Sequence, residues 1–105
     1  MLGHRSKELA DVIDRVSNAA KGLLCDAVVR VFGSVASGDY TPASDVDILI
    51  TSQNVPRGAM ARAELKVALE KQAGLPPINS VEIYLVTPEE AWANPIYREV
   101  LSKLR

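Results

Sequence analysis

Gly33-Ser34 closes one apolar run, and ten residues later Asp45-Val46-Asp47 opens the next. A carboxylate loses several kcal/mol when it leaves water without a partner, so two acids set among Val46, Ile48, Leu49 and Ile50 demand cations. Residues two apart on a strand leave the same face, with backbones about 7 Å apart. Both carboxylates can then converge on a pair of divalent ions about 3.5 to 4 Å apart, the spacing of in-line phosphoryl transfer. Oxygen ligands without nearby His or Cys select Mg²⁺, or Mn²⁺, over Zn²⁺. Gly33 supplies the complementary part, because it lets backbone amides approach a phosphate closely, and Ser34 adds a hydroxyl donor. A third acid is needed to complete the metal site or to take a proton from an attacking hydroxyl, and Glu82, inside a later apolar run, is the candidate.

These side chains need a scaffold, and the apolar spacing describes one. Ser6 is placed to cap a helix in which Leu9, Val12, Ile13, Val16, Ala19, Ala20, Leu23 and Leu24 form one face. Residues 26–32 (DAVVRVF) predict a buried strand, residues 33–44 a loop dense in turn formers, and residues 45–51 (DVDILIT) a second strand. Pro56 and Gly58 introduce a second helix with an apolar stripe at Ala59, Ala63, Val67 and residues 69–73, ending at Gly74. Residues 80–86 (SVEIYLV) predict a third strand in which Val81, Ile83 and Leu85 alternate with Glu82 and Tyr84. Thr87, Pro88 and Glu90 form a capped helix start, and the chain closes with one or two short helices interrupted at Asn94-Pro95. The expected fold is α/β of the α+β type: a three-stranded mixed sheet flanked by helices, with one-face packing as the economical arrangement. Strands two and three, separated by a full helix, are expected to be parallel.

A chain of 105 residues predicts one domain, 1–105, with one core. Its 48% hydrophobic and 24% charged residues exclude disordered and fibrous classes. A formal net charge of -1, with Lys and Arg dispersed, gives no electrostatic basis for stable binding to long nucleic acid; a small charged ligand or a protein partner fits better. There is no membrane-length apolar stretch and no signal-like run at the start, so a cytoplasmic location is expected. Cys25 is expected as a small core residue, Trp92 as the anchor of the C-terminal helix, and Arg57, Arg62, Lys66 and Lys71 as a solvated face with Glu64 and Glu70. For Glu82 two plainer alternatives stand open, a solvated position or a salt bridge with a lysine.

Gly33-Ser34, the ten-residue gap, Asp45-Val46-Asp47 and a later acid together resemble the minimal nucleotidyltransferases of the DNA polymerase beta superfamily. The resemblance covers nearly the whole chain and implies a nucleotidyltransferase fold. It implies that Asp45, Asp47 and Glu82 are catalytic and hold two Mg²⁺, with Mn²⁺ as the substitute, and that Gly33 and Ser34 bind the triphosphate. The implied activity is metal-dependent transfer of a nucleoside monophosphate, AMP from ATP, to an acceptor hydroxyl. Small stand-alone members resemble antitoxins paired with a helical HEPN ribonuclease, some of which transfer AMP to the toxin, so the implied acceptor is a HEPN toxin and the implied partner that toxin or a second copy of the chain. The alternative is an inactive member that works by covering its partner. Two departures bear on this choice: Ala36-Ser37-Gly38 stands where many members carry Ala-Arg-Gly, and the third acid is Glu82 instead of Asp. For Tyr40 contact with a nucleotide base and simple packing both stand open, and for apolar Ile96, Val100, Leu101 and Leu104 so do contact with a partner and packing on the sheet.

Overall fold

The computed structural model describes residues 2–33, 46–75 and 81–102, with side chains from residue 9 onward. The elements run α1 (Leu2–Leu24), β1 (Val28–Phe32), β2 (Val46–Thr51), α2 (Ala59–Gln72), β3 (Val81–Val86), α3 (Pro88–Ala93) and α4 (Pro95–Ser102). The expected three-stranded mixed sheet is present in the order β1-β2-β3, antiparallel between β1 and β2 and parallel between β2 and β3. Within a crossover of this length α2 returns the chain to the starting edge, which is what a parallel pair needs.

Helices cover both faces of the sheet, not one. Val46, Ile48 and Ile50 of β2 and Ile83 of β3 pack under α1 through Val16, Ala19, Ala20 and Leu24, and under α2 through Leu69. The alternate residues Leu49 and Val86 face the other way, against Ala91 of α3 and Tyr97, Val100 and Leu101 of α4. The reason lies in DVDILIT: Leu49 is as apolar as Ile48 and Ile50, so the central strand presents apolar side chains on both faces. Each such fully buried side chain contributes about 1.5 to 3 kcal/mol. Among the described residues no helix is long and apolar enough to cross a membrane.

Several local expectations change. α1 starts at Leu2, so Ser6 lies inside it; an N-cap preference of about 1 kcal/mol yields where no proline stops the helix earlier. At the other end α1 passes Gly22 and finishes at Leu24, and Cys25 takes the left-handed position with φ of 60°. Cys25 is exposed, because that conformation turns it away from the core that Leu24 and Ala27 fill. The buried side of α2 is carried by Leu65, Leu69 and Ala73, while Met60, Ala63 and Val67 face outward. Trp92 is 57% exposed and Ile96 62%, so the C-terminal helices are anchored by Ala91, Tyr97, Val100 and Leu101. The capping box is present as expected: Thr87 Oγ1 accepts from the Glu90 amide at 3.2 Å, and the Thr87 amide donates to Glu90 Oε1 at 2.9 Å.

At the edge where α1 turns into β1, Asp26 precedes the strand and gathers donors from the turn after β2. Its carboxylate accepts from the Ser52 hydroxyl, from the Gln53 amide at 3.0 Å and from Asn54 Nδ2 at 3.1 Å. Asn54 Nδ2 also donates to the Leu24 carbonyl at 3.0 Å, satisfying an open helix end. The Ser52 hydroxyl, and after it the Gln53 amide, hold the Asp26 carboxyl below its ordinary value of 3.8.

Two outcomes are expected. A group whose folded pKa is depressed stabilises above its unfolded value and loses that contribution as pH falls through the folded one. Asp26→Asn should therefore lower the urea midpoint at pH 7, with the deficit shrinking well below pH 3.8; an equal deficit at pH 7 and pH 3 contradicts the role given to Asp26. Cys25→Gly should raise stability by about 1 kcal/mol, because glycine holds a left-handed φ without the side-chain cost, whereas Cys25→Val should lower it, both read from urea unfolding.

Candidate active site

At the end of β1 the chain reaches Phe32 and Gly33, and β2 and β3 both begin alongside. Phe32 pairs with Asp47 across the antiparallel ladder, and Asp47 pairs with Glu82 across the parallel one. Strand alternation sends these three side chains to one face, the face that carries Leu49, Tyr84 and Val86 farther along. Neighbouring strands lie about 4.8 Å apart, so Asp47 and Glu82 are adjacent carboxylates. Asp47 is half-buried on an otherwise buried strand, as is Glu82 at the sheet edge. Like charges directly opposite on paired strands repel, so this row requires positive charge or hydrogen-bond donors.

Two neighbours, Tyr84 and Lys66, meet that demand, and a third, Gly33, makes room for the carboxylate. Gly33 has φ of +78°, and a Cβ built there would lie 2.3 Å from Asp47 Oδ2; the absence of a side chain is what lets the Asp47 carboxylate occupy its position. Tyr84, two residues after Glu82 on the same face, donates its hydroxyl to Asp47 Oδ1 at 3.4 Å. Burial raises the Tyr84 hydroxyl above the ordinary tyrosine pKa of 10.0, and the charges of Asp47 and Glu82 push it the same way, so Tyr84 is a proton donor here and not a base. Its ring is fixed edge-on to Phe32, with centroids 5.2 Å apart, and both lean on Tyr97 of α4. Lys66 of α2 reaches the sheet edge and places Nζ 3.1 Å from Glu82 Oε2.

The five site residues expected from sequence therefore divide. Gly33, Asp47 and Glu82 are brought together; Ser34 and Asp45 lie outside the described residues, as do Ser37, Tyr40 and Leu104. Among the described residues no third His, Cys, Asp or Glu joins Asp47 and Glu82 to form a three-ligand group. The donor set still fits a hard divalent cation, since both groups are carboxylates, register partners on one face of the sheet. Lys66 was expected on a solvated face with Arg62; instead both turn toward β3, Arg62 donating to the Leu85 carbonyl at 3.2 Å and pairing with Glu90 at 2.9 Å. Tyr84 was legible as the next residue on Glu82's face; a lysine salt bridge was one of the alternatives open for Glu82 and is what the structure has, while the choice of Lys66 depends on how α2 docks.

Comparison with known proteins bears on this geometry. The family model described as "Nucleotidyltransferase domain" matches residues 11–103, most of the chain. A segment of 42 residues is 45% identical to Poly(A) RNA polymerase protein 1 of Saccharomyces cerevisiae, covering 40% of this chain and 6% of that protein. The chain thus spans a small fraction of that relative. No solved structure matches the chain. With its matched length taking in the whole Gly33, Asp47 and Glu82 arrangement, the chain belongs to the nucleotidyltransferase domain family of the DNA polymerase beta superfamily.

Proposed function

We propose that this chain transfers a nucleoside monophosphate, AMP from ATP as the first choice, to an acceptor hydroxyl with release of pyrophosphate. The observation that carries the reading is the placement of Asp47 and Glu82 as register partners on one face, with Gly33 held in a left-handed turn against the Asp47 carboxylate. A poly(A) polymerase among the proteins it resembles favours the adenine nucleotide.

In the proposed reaction the acceptor oxygen bonds to the α-phosphorus, the bond to the pyrophosphate oxygen breaks, and the acceptor proton passes to a carboxylate of the site. When bound, two Mg²⁺ or Mn²⁺ neutralise the triphosphate and the developing charge on the leaving oxygen. Asp47 would hold them together with Asp45, which lies outside the described residues, and Glu82 would complete the set or take the proton. Gly33 and Ser34 would receive the triphosphate, through backbone amide and hydroxyl donors. Tyr84 supports Asp47 by donating its hydroxyl to Oδ1.

A partner completes the site, in our reading a helical HEPN-type toxin for which this chain is the antitoxin, or else a second copy of the chain. Exposed Trp92 and Ile96 support such a contact, whereas Val100 and Leu101, also considered for it, pack against the sheet. The second reading, a binding module that covers its partner without catalysis, is favoured by one observation: Glu82 is engaged by Lys66.

Incubation with Mg²⁺, α-labelled ATP and a candidate helical partner separates the two. Label should appear on the partner, and Asp47→Asn should slow its appearance by at least about 100-fold. Tight binding with no label, unaffected by Asp47→Asn, selects the binding module. Gly33→Ala should lower the transfer rate far more than its folding cost of about 1 to 2 kcal/mol implies, because the new methyl displaces the Asp47 carboxylate. Equal transfer by Gly33→Ala and the unmodified chain would refute the role assigned to that turn.

A further inference from the structure

Lys66 sits one helical turn after Arg62 on α2, and both side chains reach the same edge strand with different tasks. Arg62 holds the helix: its guanidinium donates to the carbonyls of Pro56 and Leu85 and pairs with Glu90. Leu65 and Leu69 bury the same side of α2 in the core. Docking of α2 is therefore secured without Lys66, whose ammonium meets only the Glu82 carboxylate among the described residues. That carboxylate is the register partner of Asp47, and the two like charges face each other across paired strands. Lys66 and Glu82 retain 34% and 46% side-chain exposure, so their pairing is screened and of the modest strength that solvent-exposed ion pairs have.

We propose that Lys66 is an exchangeable counter-ion: it neutralises Glu82 while no divalent ion is bound, and Lys66 and the divalent ion compete for that one carboxylate. The inference rests on the metal-dependent reading of the site. It assigns the Lys66–Glu82 pair to regulation of metal occupancy, and it makes the engaged state of Glu82 compatible with catalysis. A doubly charged ion with direct oxygen coordination outcompetes a half-exposed ammonium, and the flexible four-carbon stem lets Lys66 withdraw while Arg62 keeps α2 in place. Lys66→Arg, with a planar fork matched to a carboxylate, should hold Glu82 more firmly.

The test is Mn²⁺ binding followed by electron paramagnetic resonance of the free ion, alongside thermal unfolding with and without Mn²⁺. Lys66→Met should bind Mn²⁺ about two- to fivefold more tightly than the unmodified chain, in keeping with an exposed ion pair's strength, and Lys66→Arg should bind it less tightly. In the Glu82→Gln background, Lys66→Met should produce a clearly smaller gain, because only the general field of the ammonium is then removed. The rise in unfolding temperature on adding Mn²⁺ should be larger for Lys66→Met than for the unmodified chain. Equal gains in the two backgrounds, or no gain from Lys66→Met where the unmodified chain binds Mn²⁺, overturn the competition and leave the metal-dependent reading standing. Failure of every form to bind Mn²⁺ overturns both.

Discussion

A carboxylate on the central strand of a sheet is the constraint on which the rest of this structure depends. β2 is buried at every position except Asp47, which is half-buried, and a carboxylate there gives up part of its contact with water. The surroundings show how that cost is met. On one side the chain turns through Gly33, which has no side chain to collide with the carboxylate. On the other side β3 offers the Tyr84 hydroxyl, and it also brings a second acid, Glu82, into register. A fold selected for stability alone would place Val or Ile at both acid positions, since a well-packed apolar group is generally equal to or better than a buried charge. The acids are thus retained against the grain of the sheet.

The two faces of that sheet do different work. Under α1 and α2 lies an almost wholly aliphatic layer, Val16, Ala20, Ile48, Ile50 and Leu69 at its centre, which stabilises without chemistry. The opposite face is apolar at Leu49 and Val86, aromatic at Phe32, Tyr84 and Tyr97, and acidic at Asp47 and Glu82. The aromatic rings form the boundary between core and site, because a tyrosine presents a packed ring on one side and a hydroxyl on the other. Tyr84 joins the two: its ring is held by Phe32 and Tyr97, and its hydroxyl by Asp47. C-terminal α4 therefore contributes to the site at one remove, through Tyr97.

What could be read from the residues follows the range of the interaction concerned. The strands were legible because alternation and β-branching act within a few residues, and the Thr87 capping box because its two hydrogen bonds span three. Asp47 and Glu82 each stand out in the sequence because both interrupt apolar runs, whereas their placement opposite one another is set by strand register. α2 was misread at the level of its stripe: apolar residues occur on two sides of it, and only docking decides that Leu65, Leu69 and Ala73 go in while Met60 and Val67 stay out. Burial of Cys25 was misjudged because residue type speaks for average burial, whereas a left-handed φ just after a helix sets the direction of a particular side chain. Trp92 failed similarly, since Tyr97 and Leu101 of the next helix, α4, fill the available surface.

Lys66 marks the limit of local reading, and it also shows why the acidic row is tolerable. Lys66 pairs with Glu82, and among the described residues no second cation pairs with Asp47. Complete neutralisation by a second fixed cation would stabilise the empty site more, yet it would oblige every incoming ion to displace two partners. Partial neutralisation by a half-exposed lysine costs an entering ion little, because such pairs contribute about 1 kcal/mol or less. Arg62, one turn earlier, illustrates the other choice: guanidinium, several acceptors and a structural partner in Glu90, whose carboxyl is held below its ordinary value first by the Thr87 amide and also by Arg62 itself. The helix thus carries a firm clasp and a loose one on the same edge of the sheet, and the loose one lies beside the acids.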